Sequence, residues 1–329
     1  MKRRDFLKRS TAAVALAGLG AVRATPSLAQ AYPTQPIRII SPFAAGGAAD
    51  VVARIVGKHL GDQLGQQVFI DNRSGAGGTL GTDIAARAAP DGYTLAMHSI
   101  SSAVLNKFLY TRSKLDVATM FAPISQIGSA LMMLVINEKI PARNLQEFIA
   151  LLKANPGKYQ FGSNGLGGIM HLSGDLFGFM SGTEVVHVPY RGEGQATVDL
   201  IAGRIHFMVA SVPIMLPHVR AGELRALCIN ADHRLTLLPD VPTAAEAGLS
   251  GYKTYNWHAL FAPLATPEPI IKRVHEALIK GMDTPEARKQ FEEIGIDLVL
   301  SNPSALAAEL KQQSDFWGPL IARSGVKLD

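Results

Sequence analysis

The stretch IRIISPFAAGGAADVVARIVGKHL, residues 37–60, decides the architecture. IRIIS is a short apolar run of the kind that forms a buried strand, and AADVVARIVGKHL repeats its apolar residues at helical spacing. SPFAAGG lies between them, with two adjacent glycines and almost no functional side chain. A strand that passes through glycines into a helix is part of a βα unit, and in such units ligands bind at the carboxyl end of the strand. Glycine at that junction lets a ligand approach the main chain with no Cβ in the way. The amides and dipole of the helix start suit an anion.

The alternation continues along the chain. QQVFIDN reads as a strand, RSGAGGTL as a glycine-rich loop, GTDIAARAA as a helix, and PDGYTLAMHS as a turn and strand. A second series runs from ALMMLVINEK through NLQEFIALLKANPG, KYQFGS, NGLGG, IMHLSGDLFGFMSG and EVVHVPY to GEGQATVDLIAGR, IHFMVAS, VPIMLPHVRAG and LRALCIN. The expected class is therefore α/β: two lobes, each a parallel, doubly wound sheet flanked by helices, with a ligand cleft between them. The tail from TPEPIIKRVHEALIKGM onward is mostly amphipathic helix and is assigned to the first lobe. Lobe 1 then comprises residues 32–125 and 259–329, and lobe 2 residues 126–258. Extended crossings near 126 and 257 would make the junction a hinge.

Composition removes several functional classes. The 329 residues are 47% hydrophobic, enough to bury two cores. The formal charge of +5 arises at the N-terminus: residues 1–30 hold six of the 32 Lys and Arg but one of the 27 Asp and Glu, leaving 26 of each. Nothing then argues for nucleic acid or an anionic membrane. KRRDFLKR, the apolar run TAAVALAGLGAV and the small residues ending in AQA form an export signal over residues 1–31, of twin-arginine type or of ordinary secretory type with paired arginines. Either route exports the protein to the periplasm, with the signal cleaved. Cys228, the only cysteine, lies in the apolar run LRALCIN and is expected in a core.

Motifs for catalysis are missing. SPFAAGGAAD is not the dinucleotide fingerprint, GAGGTLG has its third glycine one position late, and no phosphate-binding P-loop occurs. The nine histidines are at least twelve residues apart, and neither a zinc-binding pattern nor a nucleophile elbow is found. No cofactor, no metal and no catalytic residue is expected. The two glycine-rich strand-to-helix junctions, SPFAAGGAAD and FGSNGLGGIMH, suit a small planar anion such as a carboxylate held by backbone donors. His171 stands at its helix start, either against ligand or as a structural side chain; Arg191 ends a strand, facing either a distal carboxylate or solvent.

Long runs of the chain resemble the receptors of the tripartite tricarboxylate transporter family, also called Bug receptors. They include YPTQPIRIISPFAAGGAADVVAR, VFIDNRSGAGGTLGTDIAARAAPDGYTL, FGSNGLGGIMHLSGDLF, VVHVPYRGEGQATVDLIAGRI, LPDVPTAAEAGLSGY and FAPLATPEPII. The resemblance implies a two-lobed periplasmic binding protein of the Venus-flytrap kind, type II-like and not an enzyme. Such a protein closes on a carboxylated solute and delivers it to membrane transporter subunits. It implies ligand contacts from Phe43, Ala45, Gly46, Gly47, Ala48 and Asp50, with Asn72, Gly77 and Thr79 nearby. From the second lobe it implies Ser163, Asn164, Gly165, His171, Tyr190 and Arg191. The segments around Ser99 and Ser211 depart from the usual family runs and are expected to face the variable end of the ligand. Ala48 and Ala49 stand where the family usually has Gly followed by Thr or Ser. A monomer is expected. The alternative readings are a receptor that signals to a sensor protein, or an exported enzyme.

Overall fold

Ile37, Ile39 and Ile40 are fully buried on β1 (Ile37–Ser41). Helix α1 (Ala48–Leu64) turns Val52, Ala53, Val56 and Leu60 onto that sheet and stops at Gly65, whose φ of 67° gives the left-handed turn that ends helices. β2 (Val68–Asn72) then pairs in parallel with β1, Ile37 opposite Val68. Helix α2 (Thr79–Ala86) leads to β3 (Thr94–Ser99), which pairs in parallel on the other side of β1, Arg38 opposite Thr94. The order β2-β1-β3 means that the chain direction of winding reverses between β1 and β3. Such a reversal opens a crevice at the carboxyl ends of the strands.

This computed structural model of the chain describes residues 32–328. The export signal expected over residues 1–31 lies outside the described residues. Among those described, no helix is long and apolar enough to cross a membrane.

After β3 the chain makes a π-helical turn, Ser101–Leu105, and then enters β4 (Phe121–Asn137), a strand of 17 residues. The second winding follows: α3 (Leu145–Ala154), β5 (Gln160–Ser163), α4 (Ile169–Ser181), β6 (Val186–Pro189), α5 (Glu193–Ala202), β7 (Phe207–Ser211), α6 (Val212–Arg220) and β8 (Leu224–Ile229). β5 pairs in parallel with β6 on one side and β7 on the other, so this sheet has its own reversal between β5 and β7. The chain returns through β9 (Tyr255–Pro263) and closes with α7 (Glu268–Met282), α8 (Pro285–Glu293), β10 (Ile296–Leu298) and α9 (Pro303–Ser324). This is the two-lobed α/β fold that the alternation foretells.

The sheets are not purely parallel as the pattern suggested. β4 leaves one parallel set and β9 returns to it, so the two strands run opposite to each other, and β9 is antiparallel to β3 as well. Sequence also suggested an extended connection followed by a separate strand, whereas APISQIGSA and ALMMLVIN lie on one continuous β4. Shifts of register at Pro123/Ser125 and Gln126/Gly128 absorb the irregular residues without ending the strand. Residues 121–131 of β4 pair with β9, and from Met132 onward its partners are β7 and β8. The short β10 went unread because three residues within a helical tail carry little periodicity.

β10 lies directly on β4, with Leu298 opposite Gly128. A Cβ on Gly128 would stand 2.7 Å from the Asp297 carbonyl oxygen and 2.9 Å from the Ile296 side chain. The glycine is therefore required by the close approach of β10, with no special backbone angle involved. We expect Gly128→Ala to push β10 off the sheet and cost about 1–3 kcal/mol, the usual penalty of overpacking. Urea unfolding reads this directly; an unchanged midpoint would show that the strand yields without strain.

Candidate functional site

Both reversals of winding bring loops to the carboxyl edges of their sheets. In the first lobe these are loop 42–47 after β1 and residues 99–101 after β3; in the second they are loop 163–168 after β5 and Ser211 at the end of β7. Three helices that open at these edges, α1, α4 and α5, have glycine as the N-cap: Gly47, Gly168 and Gly192. Three other helices are capped by side chains, since Asn144, Thr284 and Asn302 each accept a first-turn amide of α3, α8 or α9, whereas α7 begins after Pro267 with no side-chain cap. A glycine has no side chain with which to satisfy the orphan amides of a first turn. The edges therefore present main-chain donors and positive helix ends with no side chain of the cap in the way.

Loop 42–47 is braced from beneath. Asp50 is buried, and its Oδ2 accepts from the Gly46 amide and from Arg54 Nε, both at 2.9 Å. Asn72 Nδ2 donates to Asp50 Oδ1 and to the Phe43 carbonyl, each at 3.1 Å. Burial pushes the Asp50 carboxyl up, but the hydrogen bonds from Arg54, Gly46 and Asn72 prevail and hold it below its ordinary value. Asp50, Asn72 and the Gly46 amide are thus committed within the protein. Gly46 sits at φ 83°, and Ala45, Gly46 and Gly47 are exposed while Phe43 and Ala48 are partly so. The neighbouring glycine loop is also tied locally: Gly77 accepts from Asn106 Nδ2, and Thr79 Oγ1 donates to the Ala76 carbonyl.

In the second lobe, loop 163–168 is held by a pair of histidines. Ser163 Oγ donates to the Gly165 carbonyl at 2.8 Å and accepts from its amide at 3.1 Å. His187 Nε2 lies 2.7 Å from the same hydroxyl. The His171 ring stacks on His187 at 3.8 Å, and its Nδ1 accepts from the Gly167 amide at 3.0 Å. That acceptance requires an unprotonated Nδ1, so His171 is neutral and its Nε2 faces Asp175 at 3.2 Å as donor. Burial lowers His171 to about 4, and burial together with the adjacent His171 lowers His187 to about 3. His171 therefore stands in the structural role, shaping the loop through Gly167.

The remaining residues divide by what they touch. Tyr190 turns its hydroxyl to Asp199 Oδ2 at 2.8 Å, and burial followed by that bond raises it to about 12. Asn164 and Arg191 are exposed and have no hydrogen-bond or ion-pair partner among the described residues. Ser99 is buried, its amide donating to Ser102 Oγ. Ser211 gives both its amide and its hydroxyl to Glu193 Oε1, at 3.0 and 2.7 Å. Burial raises the Glu193 carboxyl against these two donors.

Two residues were missed from sequence. Ser101 Oγ accepts from the Ile169 amide at 3.2 Å, so a hydroxyl of the first lobe caps the α4 start in the second. Glu193 opens α5 over the other crevice. Both lie within a few residues of a strand's carboxyl end, which was the available signal; neither belongs to a glycine run. Cys228 is buried in the core, and burial pushes its thiol up to about 12. A separate cavity of about 430 Å³ lies between α4 and α9, lined by apolar residues such as Leu172, Leu176 and Trp317.

Two lobes, each with glycine-capped helix starts along its crevice, are the arrangement of periplasmic solute-binding proteins. Residues 52–326 match the family described as tripartite tricarboxylate transporter family receptor, and the chain belongs to that family. It is 35% identical over 316 residues to the protein BugT of Bordetella pertussis, a match covering 96% of each chain. Among solved structures, it resembles Rpa4515 of R. palustris with adipate at TM-score 0.84 and 29% identity, covering 89% of this chain and 98% of that one. It also resembles MatC of Rhodopseudomonas palustris with bound malate at TM-score 0.81 and 29% identity, covering 88% and 100%.

The Asp50 brace has a pH signature. A carboxyl held below its ordinary value of 3.8 adds stability above that value and loses it as pH falls through the lowered one. We expect Asp50→Ala to cost about 1–3 kcal/mol at neutral pH, through the donors it orphans. The deficit should shrink toward acid, and urea midpoints of both proteins across the acid range check it. A deficit independent of pH would assign the loss to packing.

Proposed function

We propose that the protein captures a small solute bearing a carboxylate between its lobes and delivers it to membrane transporter subunits of the tripartite tricarboxylate type. The observation that carries this reading is the pairing of glycine-capped helix starts, α1 and α4, at the two winding reversals of a two-lobed fold. One carboxylate would lie between loop 42–48 and loop 163–169, accepting from main-chain donors directly and through water. Charge-assisted hydrogen bonds contribute roughly 1.5–3 kcal/mol each. Three or four of them suffice for micromolar binding, about −8 kcal/mol. The adipate and malate of the two related structures are of the same chemical class.

The hinge in this reading is the change of partner on β4 between Leu131 and Met132, with the return near Tyr255 where β9 begins. Lobe 1 is then residues 32–125 and 259–329 with the intervening part of β4, and the solute closes the second lobe onto it. Ser101 already reaches the α4 start across the junction, and that contact would be kept on closing. The protein works in the periplasm as a receptor without catalysis or cofactor.

A thermal-shift screen of residues 32–329 against mono-, di- and tricarboxylates tests the reading. Ligand at about a hundredfold over its dissociation constant stabilises by roughly 2.7 kcal/mol. That corresponds to several degrees or less for a chain of this size. A selective shift with one class of carboxylate is expected; none with any carboxylate would remove the receptor reading.

A sharper test deletes one donor and nothing else. Ala48 is the first residue of α1, and Gly47 before it has φ −84° and ψ 170°, the extended geometry that precedes proline. Proline is tolerated at this first helical position and lacks an N–H. We expect Ala48→Pro to leave the free protein's melting temperature unchanged and to weaken carboxylate binding by about tenfold or more. Undiminished affinity would place the carboxylate elsewhere.

A further inference from the structure

Recognition of one carboxylate leaves the other end of the solute to be read, and the second crevice carries a charged group with an open hydrogen-bonding position. Glu193 is the first residue of α5, the helix that carries the chain from β6 across β5 to β7. That crossing is the winding reversal of the second lobe, and a side chain at its start overlooks the crevice. Loops 42–47, 99–101, 163–168, 190–193 and 211–212 contain only two charged side chains, Arg191 and Glu193. Arg191 is exposed and tied to nothing among the described residues, whereas Glu193 is half-buried and fixed. Its Oε1 takes both the amide and the hydroxyl of Ser211. Its Oε2 has no hydrogen-bond partner among the described residues.

We propose that Glu193 Oε2 reads the distal end of the solute, accepting a hydrogen bond from a hydroxyl or ammonium group and turning away a second carboxylate. The inference rests on the carboxylate-receptor reading and narrows it to hydroxy- or amino-monocarboxylates. Burial raises the Glu193 carboxyl, and the two donors of Ser211 with the positive end of α5 work against that shift, toward the carboxylate form in which Oε2 is an acceptor. A ligand carboxylate brought within a few ångströms of it, in a cleft that excludes water, meets strong like-charge repulsion. A hydroxyl or ammonium at that point meets an acceptor already held in place. This protein then departs from its relatives with adipate and malate at the distal end of the solute while sharing their grip on the proximal one.

Glutamine tests the assignment at one atom. In Glu193→Gln the amide oxygen keeps both Ser211 bonds, so the NH₂ group must take the place of Oε2. The outward group changes from acceptor to donor with no change of shape. Calorimetric titration would compare ligands of equal length: succinate, 4-hydroxybutyrate and 4-aminobutyrate, then adipate, 6-hydroxyhexanoate and 6-aminohexanoate.

The wild-type protein is expected to bind a hydroxy- or amino-acid at least about tenfold more tightly than the dicarboxylate of the same length, and Glu193→Gln to reverse the order. Glu193→Asp keeps the charge but withdraws it, and is expected to narrow the preference without reversing it. Melting curves and circular dichroism of each variant establish that it is folded.

Four results overturn the proposal. A wild-type preference for dicarboxylates gives the distal end to Arg191. A ratio unchanged in Glu193→Gln leaves Glu193 as no more than a brace for Ser211. If no carboxylate binds the wild-type protein at all, the receptor reading itself has failed. If carboxylates bind without regard to their distal group, only the role of Glu193 has failed.

Discussion

Strand β4 hydrogen-bonds into both sheets, and its pairing with β9 constrains nearly everything else. A strand shared between two sheets fixes how the parallel sets lie, because each set can grow only from the edge that β4 or β9 presents to it. β3 joins the first set through β9, and β7 joins the second through β4. The two winding reversals follow, since in each lobe the innermost parallel strand is reached last. The crevices are therefore consequences of strand order, and the loops that fill them inherit their position from the sheet. Backbone pairing along two long strands is also more easily bent than broken, which is what a junction between lobes requires.

The loops are braced by side chains that lie one layer beneath them. Asp50 reaches under loop 42–47, and the stacked histidines His171 and His187 reach under loop 163–168. In both cases a titratable group takes one main-chain amide of the loop, Gly46 for Asp50 and Gly167 for His171. Apart from the Ile169 amide, which Ser101 takes, the first-turn amides at the glycine-capped helix starts have no cap side chain. Charge is supplied by dipoles and geometry at the crevices, while most charged side chains pair on the outer surface, as Arg87 does with Asp83 and Arg234 with Glu246.

The regular parts of this arrangement were legible from sequence because they depend on local pattern. Apolar runs such as IRII and glycines such as Gly65 specify their own elements, so the alternation and the two junctions could be read directly. β4 was misread in part because its register shifts at Pro123 and Gln126 resemble a loop, and only its partners keep it extended. Asp50, Asn72 and His171 were expected against the ligand, and each makes hydrogen bonds within or beneath the loops. Sequence spacing shows that a residue is near a site without showing which way its hydrogen bonds point. Ser101 and Glu193 were missed for the opposite reason: each acquires its meaning from a partner far along the chain or across a crossover, Ile169 for one and Ser211 for the other.

A grip composed of main-chain amides, as proposed for this receptor, would have an evolutionary consequence. Every residue except proline carries the same amide, so substitutions around loops 42–47 and 163–168 alter the grip only by changing the path of the backbone. In the proposed reading the far end of the solute would be met instead by individual side chains, each open to replacement by a single codon change. A duplicated gene for such a receptor can exchange one nutrient for another in small steps, with each intermediate still holding acids.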